Sequence, residues 1–145
     1  MKKYKIGYTT GVFDMFHIGH LNILRRAKEQ CEYLIVGVST DEVVEKYKHK
    51  TPVIPFEERI DIISELRCVD KVVPQCNMDK LEAWRNYHFD ALFHGSDWKN
   101  SAMYDDIEKN LKVHCVDVVY LPHTEGVSST LLSEKLETKI VESDN

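Results

Sequence analysis

The chain has 145 residues, of which 43% are hydrophobic and 30% are charged, with a formal net charge of -5. This balance predicts one globular domain over residues 1–145 and excludes a collagen-like chain, a disordered tail and a coiled-coil rod. The acidic excess argues against nucleic acid as a partner, because such binders draw affinity from basic phosphate contacts. The longest clean apolar run, Tyr33–Val38, is too short for a membrane helix, and no apolar stretch of signal-peptide length follows the basic start; we therefore expect a cytoplasmic protein with no membrane partner.

The first part of the chain predicts a β-α-β unit followed by a loop. Tyr4–Gly11 has the pattern of a strand that runs into a Gly/Thr turn, and His20–Lys28 has the apolar spacing of a helix. Glu32–Ser39 is almost continuously apolar, as is typical of a strand buried on both faces of a parallel sheet. Residues 40–55 are polar and lysine-rich and predict a long connection of the kind that is often functional.

Strands and helices continue to alternate along the rest of the chain. The predicted elements are a helix over 56–66, a strand over 71–74, a helix over 79–87, strands over 91–94 and 117–121, and a helix over 128–136. This alternation predicts an α/β fold with a mostly parallel five-stranded sheet. Since ligands of such sheets bind outside the carboxyl ends of the strands, we expect the chemistry in the turns after the first, fourth and fifth strands.

The turn after the first strand concentrates reactive side chains in the run Gly11-Val12-Phe13-Asp14-Met15-Phe16-His17-Ile18-Gly19-His20. Three interpretations compete for it. Asp14, His17 and His20 are possible metal ligands, although an H-E-x-x-H spacing and a fourth ligand are missing. The two histidines could instead only cap a helix. In the third interpretation they donate hydrogen bonds to phosphate oxygens as charge develops, and Gly19 lets a ligand approach the backbone.

This run resembles the GxFDxxHxGH signature of the cytidylyltransferase branch of the HxGH nucleotidyltransferases. A second segment, residues 122–130 (PHTEGVSST), resembles the RTEGIST segment of the same branch, and Gly95-Ser96-Asp97-Trp98 also matches a family element. The resemblance extends from about Lys5 to Leu136. The small size and the GSDW element are most similar to the bacterial glycerol-3-phosphate cytidylyltransferases.

The resemblance implies a fold, a reaction and a cofactor. The fold is a Rossmann-like three-layer arrangement. The reaction is transfer of CMP from CTP to a small phosphorylated alcohol, foremost glycerol 3-phosphate, which gives a CDP-alcohol and pyrophosphate without a covalent enzyme intermediate. Mg²⁺ enters with CTP, and the protein is expected to be a homodimer.

The resemblance also implies roles for individual residues. His17 and His20 contact the triphosphate, and a lysine of the 46–50 loop reaches both reacting phosphates, with Lys48 favoured over Lys50 and Lys46. A flexible point charge suits a moving phosphoryl group. Nucleotide binding is implied for Thr9, Thr10, Gly11, Phe13, Asp14, Gly19, Gly95, Asp97, His123, Thr124, Gly126, Ser128, Ser129 and Thr130. The hydroxyl groups of the last three and the first backbone N–H groups of their helix can surround the β- and γ-phosphates.

Substrate binding is implied for Lys48, Lys50, Arg59 and Arg67. Eight residues are close to two helical turns, so Arg59 and Arg67 are expected to point the same way on one helix. Asp70 is interpreted as structural, and Asp14 is the weakest candidate, as a metal ligand.

One departure from the family pattern bears on function. His123 stands where the closest relatives carry arginine, and a shorter, partly charged side chain would make nucleotide binding weaker or more dependent on pH. The alternatives that stay open are a transferase of the same fold that uses ATP or another phosphoalcohol or phosphonate, a nucleotide-binding module with weak or no catalysis, and a nickel- or zinc-binding protein.

Overall fold

A five-stranded parallel sheet forms the centre of the structure. The computed structural model describes residues 2–96, 99 and 101–122. The strands are β1 (Tyr4–Gly11), β2 (Cys31–Ser39), β3 (Lys71–Gln75), β4 (Ala91–Gly95) and β5 (Asp117–Leu121). The helices are α1 (Ile18–Gln30), α2 (Asp41–Lys48), α3 (Phe56–Ser64), α4 (Lys80–Tyr87) and α5 (Ala102–Lys112). All strand pairs are parallel, which confirms the predicted α/β fold.

The order of the strands locates the ligand-binding edge. The sheet has the order β3-β2-β1-β4-β5, so the chain moves outward from β1 to β3 and then returns to the other side of β1. The carboxyl ends of β1 and β4 therefore lie next to each other at the point where the direction reverses. Open α/β sheets bind ligands at such a point.

Two hydrophobic cores lie on the two faces of the sheet. Helices pack on both faces, so the fold has three layers, with the sheet in the middle. One core contains Leu24 and Ala27 of α1 and Ile63 of α3, all 0% exposed. The other contains Tyr104 and Leu111 of α5. Because strand side chains alternate between faces, a nearly continuous apolar strand such as β2 supplies both cores.

The region between β2 and α3 corrects one sequence prediction. The predicted loop over residues 40–55 contains the helix α2. Thr40 caps it by accepting a hydrogen bond from the Val43 N–H, and Val43 and Val44 are buried. The lysines predicted to lie in a loop therefore occupy the last turn of this helix and the residues that follow it.

Two further differences concern helices. The helix α5 was not predicted, although Ser101 caps it and its apolar residues recur at helical spacing. The helix α3 ends at Ser64, before the predicted end at Leu66. The helix predicted over 128–136 lies outside the described residues. Within the described ranges, no helix combines the length and the apolar character needed to cross a bilayer.

Candidate active site

An open pocket lies at the carboxyl end of the sheet. Four strands contribute to its lining, with Thr10 from β1, Ser39 from β2, Gln75 from β3 and His94 from β4. The helix α2 contributes one side of the pocket through Val43, Val44, Tyr47 and Lys48. The pocket therefore occupies the position that the topology predicts for a ligand.

The segment 11–20, which we call the histidine turn, connects β1 to α1 beside this pocket. Phe13 and Met15 have positive φ angles of 55° and 49° on either side of Asp14. The Asp14 carboxylate accepts hydrogen bonds from the backbone N–H groups of Val53 (2.8 Å) and Ile54 (2.9 Å). A left-handed conformation costs a non-glycine residue on the order of 1–3 kcal/mol, so the surrounding contacts are needed to maintain this turn.

The two histidines form a reciprocal cap at the start of α1. The Gly19 N–H donates to His17 Nδ1 at 3.0 Å, and the His17 N–H donates to His20 Nδ1 at 3.2 Å. The two rings are stacked with centroids 3.9 Å apart. An Nδ1 atom that accepts a hydrogen bond carries no proton, so each neutral ring has its proton on Nε2. His17 Nε2 is buried and has no partner among the described residues.

The environment keeps both imidazoles neutral near pH 7. Burial lowers the pKa of His17. Burial also lowers the pKa of His20 to about 4, and the neighbouring His17 acts in the same direction while Asp14 opposes it. The pair therefore presents two N–H donors without a charge of its own, beside the first backbone N–H groups of α1. Such an arrangement suits an anionic group.

A buried lysine that the sequence analysis did not select lies next to the histidine turn. Lys80, the first residue of α4, is only 3% exposed, and its ammonium donates to Thr10 Oγ1 at 3.0 Å. Burial lowers its pKa to about 8. A lysine in the first turn of a helix is ordinarily solvated, and no local sequence pattern indicates that this side chain points towards β1.

The structure separates the three candidate lysines of the 46–50 segment. All three lysines are exposed, and Lys48 lines the pocket whereas Lys46 and Lys50 do not belong to its lining. The Lys46 ammonium lies 5.4 Å from the centroid of the Tyr47 ring. This placement favours Lys48 as the lysine that reaches the reacting phosphates, and Lys50 stays a weaker prediction.

Arg59 is a structural residue in this structure and not a surface cation. It is 1% exposed, and its guanidinium donates to the backbone carbonyls of Ile54 (2.8 Å), Val12 (2.8 Å) and Ser39 (2.7 Å). It also forms an ion pair with Asp41 at 2.5 Å. These bonds use four of the five N–H donors of an arginine, so we reinterpret Arg59 as a residue that positions the ends of β1 and β2.

Arg67 and Asp70 lie in the connection between α3 and β3. Because α3 ends at Ser64, Arg67 does not share a helical face with Arg59, and the two-turn argument for a common direction is wrong. Arg67 is exposed. The Asp70 carboxylate accepts from the Lys28 ammonium at 2.6 Å and from the Leu34 N–H at 2.7 Å, in agreement with its structural interpretation.

Some of the other predicted site residues are described by the structure, and the rest lie outside the described ranges. Thr9 and Thr10 are both buried, and because strand side chains alternate, only Thr10 faces the pocket. Gly11 leaves room for the Phe13 ring, since a Cβ at Gly11 would come within 2.9 Å of it. Gly19 is the second residue of α1 and Gly95 is the last residue of β4, and both are buried. The predicted residues that lie outside the described ranges are Asp97, His123, Thr124, Gly126, Ser128, Ser129 and Thr130.

The described residues offer no protein-based metal centre. Within residues 2–96, 99 and 101–122, no group of three or more His, Cys, Asp or Glu side chains is placed to bind one ion. Asp14, the predicted ligand, directs its two carboxylate oxygens to the backbone of residues 53 and 54.

Comparison with known proteins adds independent information on this arrangement. The Cytidylyltransferase-like family model matches residues 8–135. The chain is 37% identical over 129 residues to a glycerol-3-phosphate cytidylyltransferase of Bacillus subtilis strain 168, covering 88% of this chain and 94% of the relative. It is 33% identical over 140 residues to an FAD synthase of Thermococcus sibiricus, covering 93% and 95%. A crystal structure of a lipopolysaccharide core biosynthesis protein from Thermoplasma volcanium has the same fold, with a TM-score of 0.70, 24% identity and coverage of 83% and 97%.

Proposed function

Because the chain belongs to the cytidylyltransferase-like family, we propose that it transfers CMP from CTP to glycerol 3-phosphate, with CDP-glycerol and pyrophosphate as products. The observation that carries this proposal is the pair of neutral histidines at the start of α1. Their Nε2–H groups are suited to phosphate oxygens, and the buried His17 Nε2 finds no partner in the described part of the chain.

In the proposed reaction a phosphate oxygen of the acceptor attacks the α-phosphorus of CTP, and the bond to the pyrophosphate oxygen breaks in line. Charge develops on the oxygens of the transferred group and of the leaving pyrophosphate. Preformed donors stabilise that charge without reorganising, which is the role we assign to His17 and His20. Since both Nδ1 atoms accept backbone N–H bonds, neither histidine has to gain or lose a proton during turnover.

Two lysines supply the positive charge that a pair of phosphorylated substrates requires. Lys48 lines the pocket at the end of α2, where we place the acceptor phosphate. Lys80 lies behind Thr10 with its ammonium buried. A cation that is buried without a counter-charge is costly, and a bound phosphate would relieve that cost and raise the pKa of Lys80 from about 8.

We treat Mg²⁺ as part of the nucleotide substrate. The described residues provide no cluster of ligands for it, so the triphosphate oxygens would bind the ion and neutralise charge before the nucleotide enters. We assign no step of the reaction to a metal that the protein itself binds.

A second candidate is a transferase of the same fold that uses another nucleotide or acceptor. The similarity to an FAD synthase over nearly the whole length of both chains favours keeping this candidate. Pyrophosphate release should be measured with CTP or ATP against a panel of phosphoalcohols that includes glycerol 3-phosphate. We expect the highest kcat/KM with CTP and glycerol 3-phosphate. A preference for ATP, or for an unrelated acceptor, would overturn the proposal in favour of the second candidate.

We also propose a homodimer, as the sequence resemblance implies. Light scattering coupled to gel filtration should give a mass near twice that of the 16.9-kDa chain. A monomer at concentrations where the enzyme is active would overturn this part of the proposal without affecting the reaction.

A further inference from the structure

The pocket contains a histidine that the proposed reaction does not use. His94 lies near the carboxyl end of β4 and lines the pocket together with Thr10 and Lys48. The register of β1 and β4 pairs Thr9 with Phe93, so the next residues, Thr10 and His94, are lateral neighbours. A polar ring therefore lies beside the strand that leads into the histidine turn.

Two contacts set the orientation of this ring. The Gly95 N–H donates to His94 Nδ1 at 3.0 Å, so the neutral imidazole carries its proton on Nε2. On the α5 side, the ring of Tyr104, which is 2% exposed, lies 5.0 Å from the His94 ring between centroids. The backbone of β4 and a buried aromatic side chain thus fix the direction of an N–H donor.

The lining of the pocket changes in character from one side to the other. Lys48 comes from the helix that follows β2, and His94 comes from β4, with β1 between the two strands. Neighbouring strands are about 4.8 Å apart, so the axes of β2 and β4 lie about 10 Å apart. Val44 and Met78 add apolar surface, and the described lining includes no carboxylate. A cation, apolar surface and a neutral donor match a phosphate, a short carbon chain and a hydroxyl group.

We propose that His94 Nε2–H donates to a hydroxyl group on the carbon chain of the acceptor while Lys48 binds the acceptor phosphate. His94 is then a specificity-determining residue that favours a polyol phosphate over an alkyl phosphate of equal length. This inference rests on the proposed function for the identity of the acceptor. The energetic reason is that a half-buried donor in a substrate pocket discriminates against an analogue that cannot accept its hydrogen bond.

The test compares two acceptors, glycerol 3-phosphate and n-propyl phosphate, which has the same three carbons and no hydroxyl group. His94→Leu should lower kcat/KM for glycerol 3-phosphate about 10- to 100-fold, through KM, and change the value for n-propyl phosphate less than about 3-fold. The KM of CTP should not change. An equal loss with both acceptors would overturn the inference, because it would indicate a structural effect.

Two amide variants separate the contact with Gly95 from the contact with the acceptor. His94→Asn can still accept from the Gly95 N–H but has no group in the place of Nε2, so it should behave like His94→Leu. His94→Gln places an N–H donor near the position of Nε2 and should recover most of the preference for glycerol 3-phosphate. The opposite ranking would overturn the inference. His114→Leu, an exposed residue before β5 at the other end of the sheet, is the matched control.

Calorimetric titration of the two acceptors into the protein without nucleotide distinguishes failure of the inference from failure of the proposed function. If no CTP-dependent turnover occurs but glycerol 3-phosphate binds more tightly than n-propyl phosphate, and His94→Leu removes the difference, the inference stands and the proposed reaction is wrong. If neither acceptor binds, or both bind equally to the unaltered protein, the inference is wrong.

Discussion

Replacement of Lys80 by methionine is expected to make the protein more stable and less active. The lysine is 3% exposed, and burial lowers its pKa from 10.5 to about 8. At about 1.4 kcal/mol for each pKa unit, the charged side chain costs the fold about 3 kcal/mol at pH 7. Methionine has a similar length and no charge, but it leaves Thr10 Oγ1 without its donor, which costs about 1 kcal/mol. The net gain in the free energy of unfolding should be about 2 kcal/mol.

The pH dependence of this gain tests its cause. The unfolded chain retains the Lys80 proton up to about pH 10.5, whereas the folded protein releases it near pH 8. The unfolded state therefore binds more protons between these values, and the wild-type protein gains stability relative to the variant as the pH rises. The difference in the free energy of unfolding between Lys80→Met and the wild-type protein should decrease by about 2 kcal/mol between pH 7 and pH 9.5.

Urea unfolding of both proteins at the two pH values measures this difference, and Lys109→Met on the exposed side of α5 is the control. The control should show no comparable change with pH. We expect kcat/KM of Lys80→Met to fall at least about 10-fold, because phosphate binding loses a desolvated cation. A variant that is less stable than wild type at pH 7, or an advantage that is the same at both pH values, would refute the reasoning.

Three other substitutions test the remaining parts of the site. His17→Asn and His20→Asn keep an acceptor for the backbone N–H but lose the Nε2 donor, so each should lower kcat at least about 100-fold with little change in thermal melting; more than about a third of the activity would contradict the phosphate contact. Lys48→Ala should lower kcat and raise the KM of glycerol 3-phosphate, whereas Lys50→Ala should retain most activity; the reverse result would show that the wrong lysine was chosen. Arg59→Met should lower the free energy of unfolding by about 3 kcal/mol in urea titrations, because three backbone carbonyls lose their guanidinium donor; unchanged stability would contradict the positioning role.

Strong local patterns made most of the fold predictable from the sequence. The nearly continuous apolar run of β2 is typical of a strand buried on both faces, and the alternation of strands and helices then favours a parallel sheet. The signature of the histidine turn identified the family, which the comparisons confirm. Residues 40–55 predict a loop because they are polar and lysine-rich and contain Pro52 and Pro55, although Thr40 and Asp41 form an ordinary helix start.

The parts of the site that the sequence could not predict depend on tertiary contacts. No local pattern distinguishes Lys80 from a solvated lysine in the first turn of a helix, and only the packing of α4 against β1 buries it. The family resemblance predicts a substrate-binding role for Arg59, but a sequence signature does not show where a guanidinium points. In the structure it donates to the backbone carbonyls of residues 12, 39 and 54. The sequence does not distinguish His94 from any other residue of a buried strand. Its place in a pocket depends on the positions of β1 and α2.

The contacts of Asp14 and Arg59 connect the two sides of the active site. Asp14 in the histidine turn accepts from the backbone of residues 53 and 54, and Arg59 donates to Ile54 O and Val12 O. The segment over residues 49–54, which follows Lys48, is therefore attached through residues 53 and 54 to the histidine turn. The proposed reaction requires a fixed separation between Lys48 and the two histidines, since small errors in placement reduce the rate strongly. The buried arginine and the turn aspartate thus hold the backbone of residues 53 and 54 against the turn that carries the histidines.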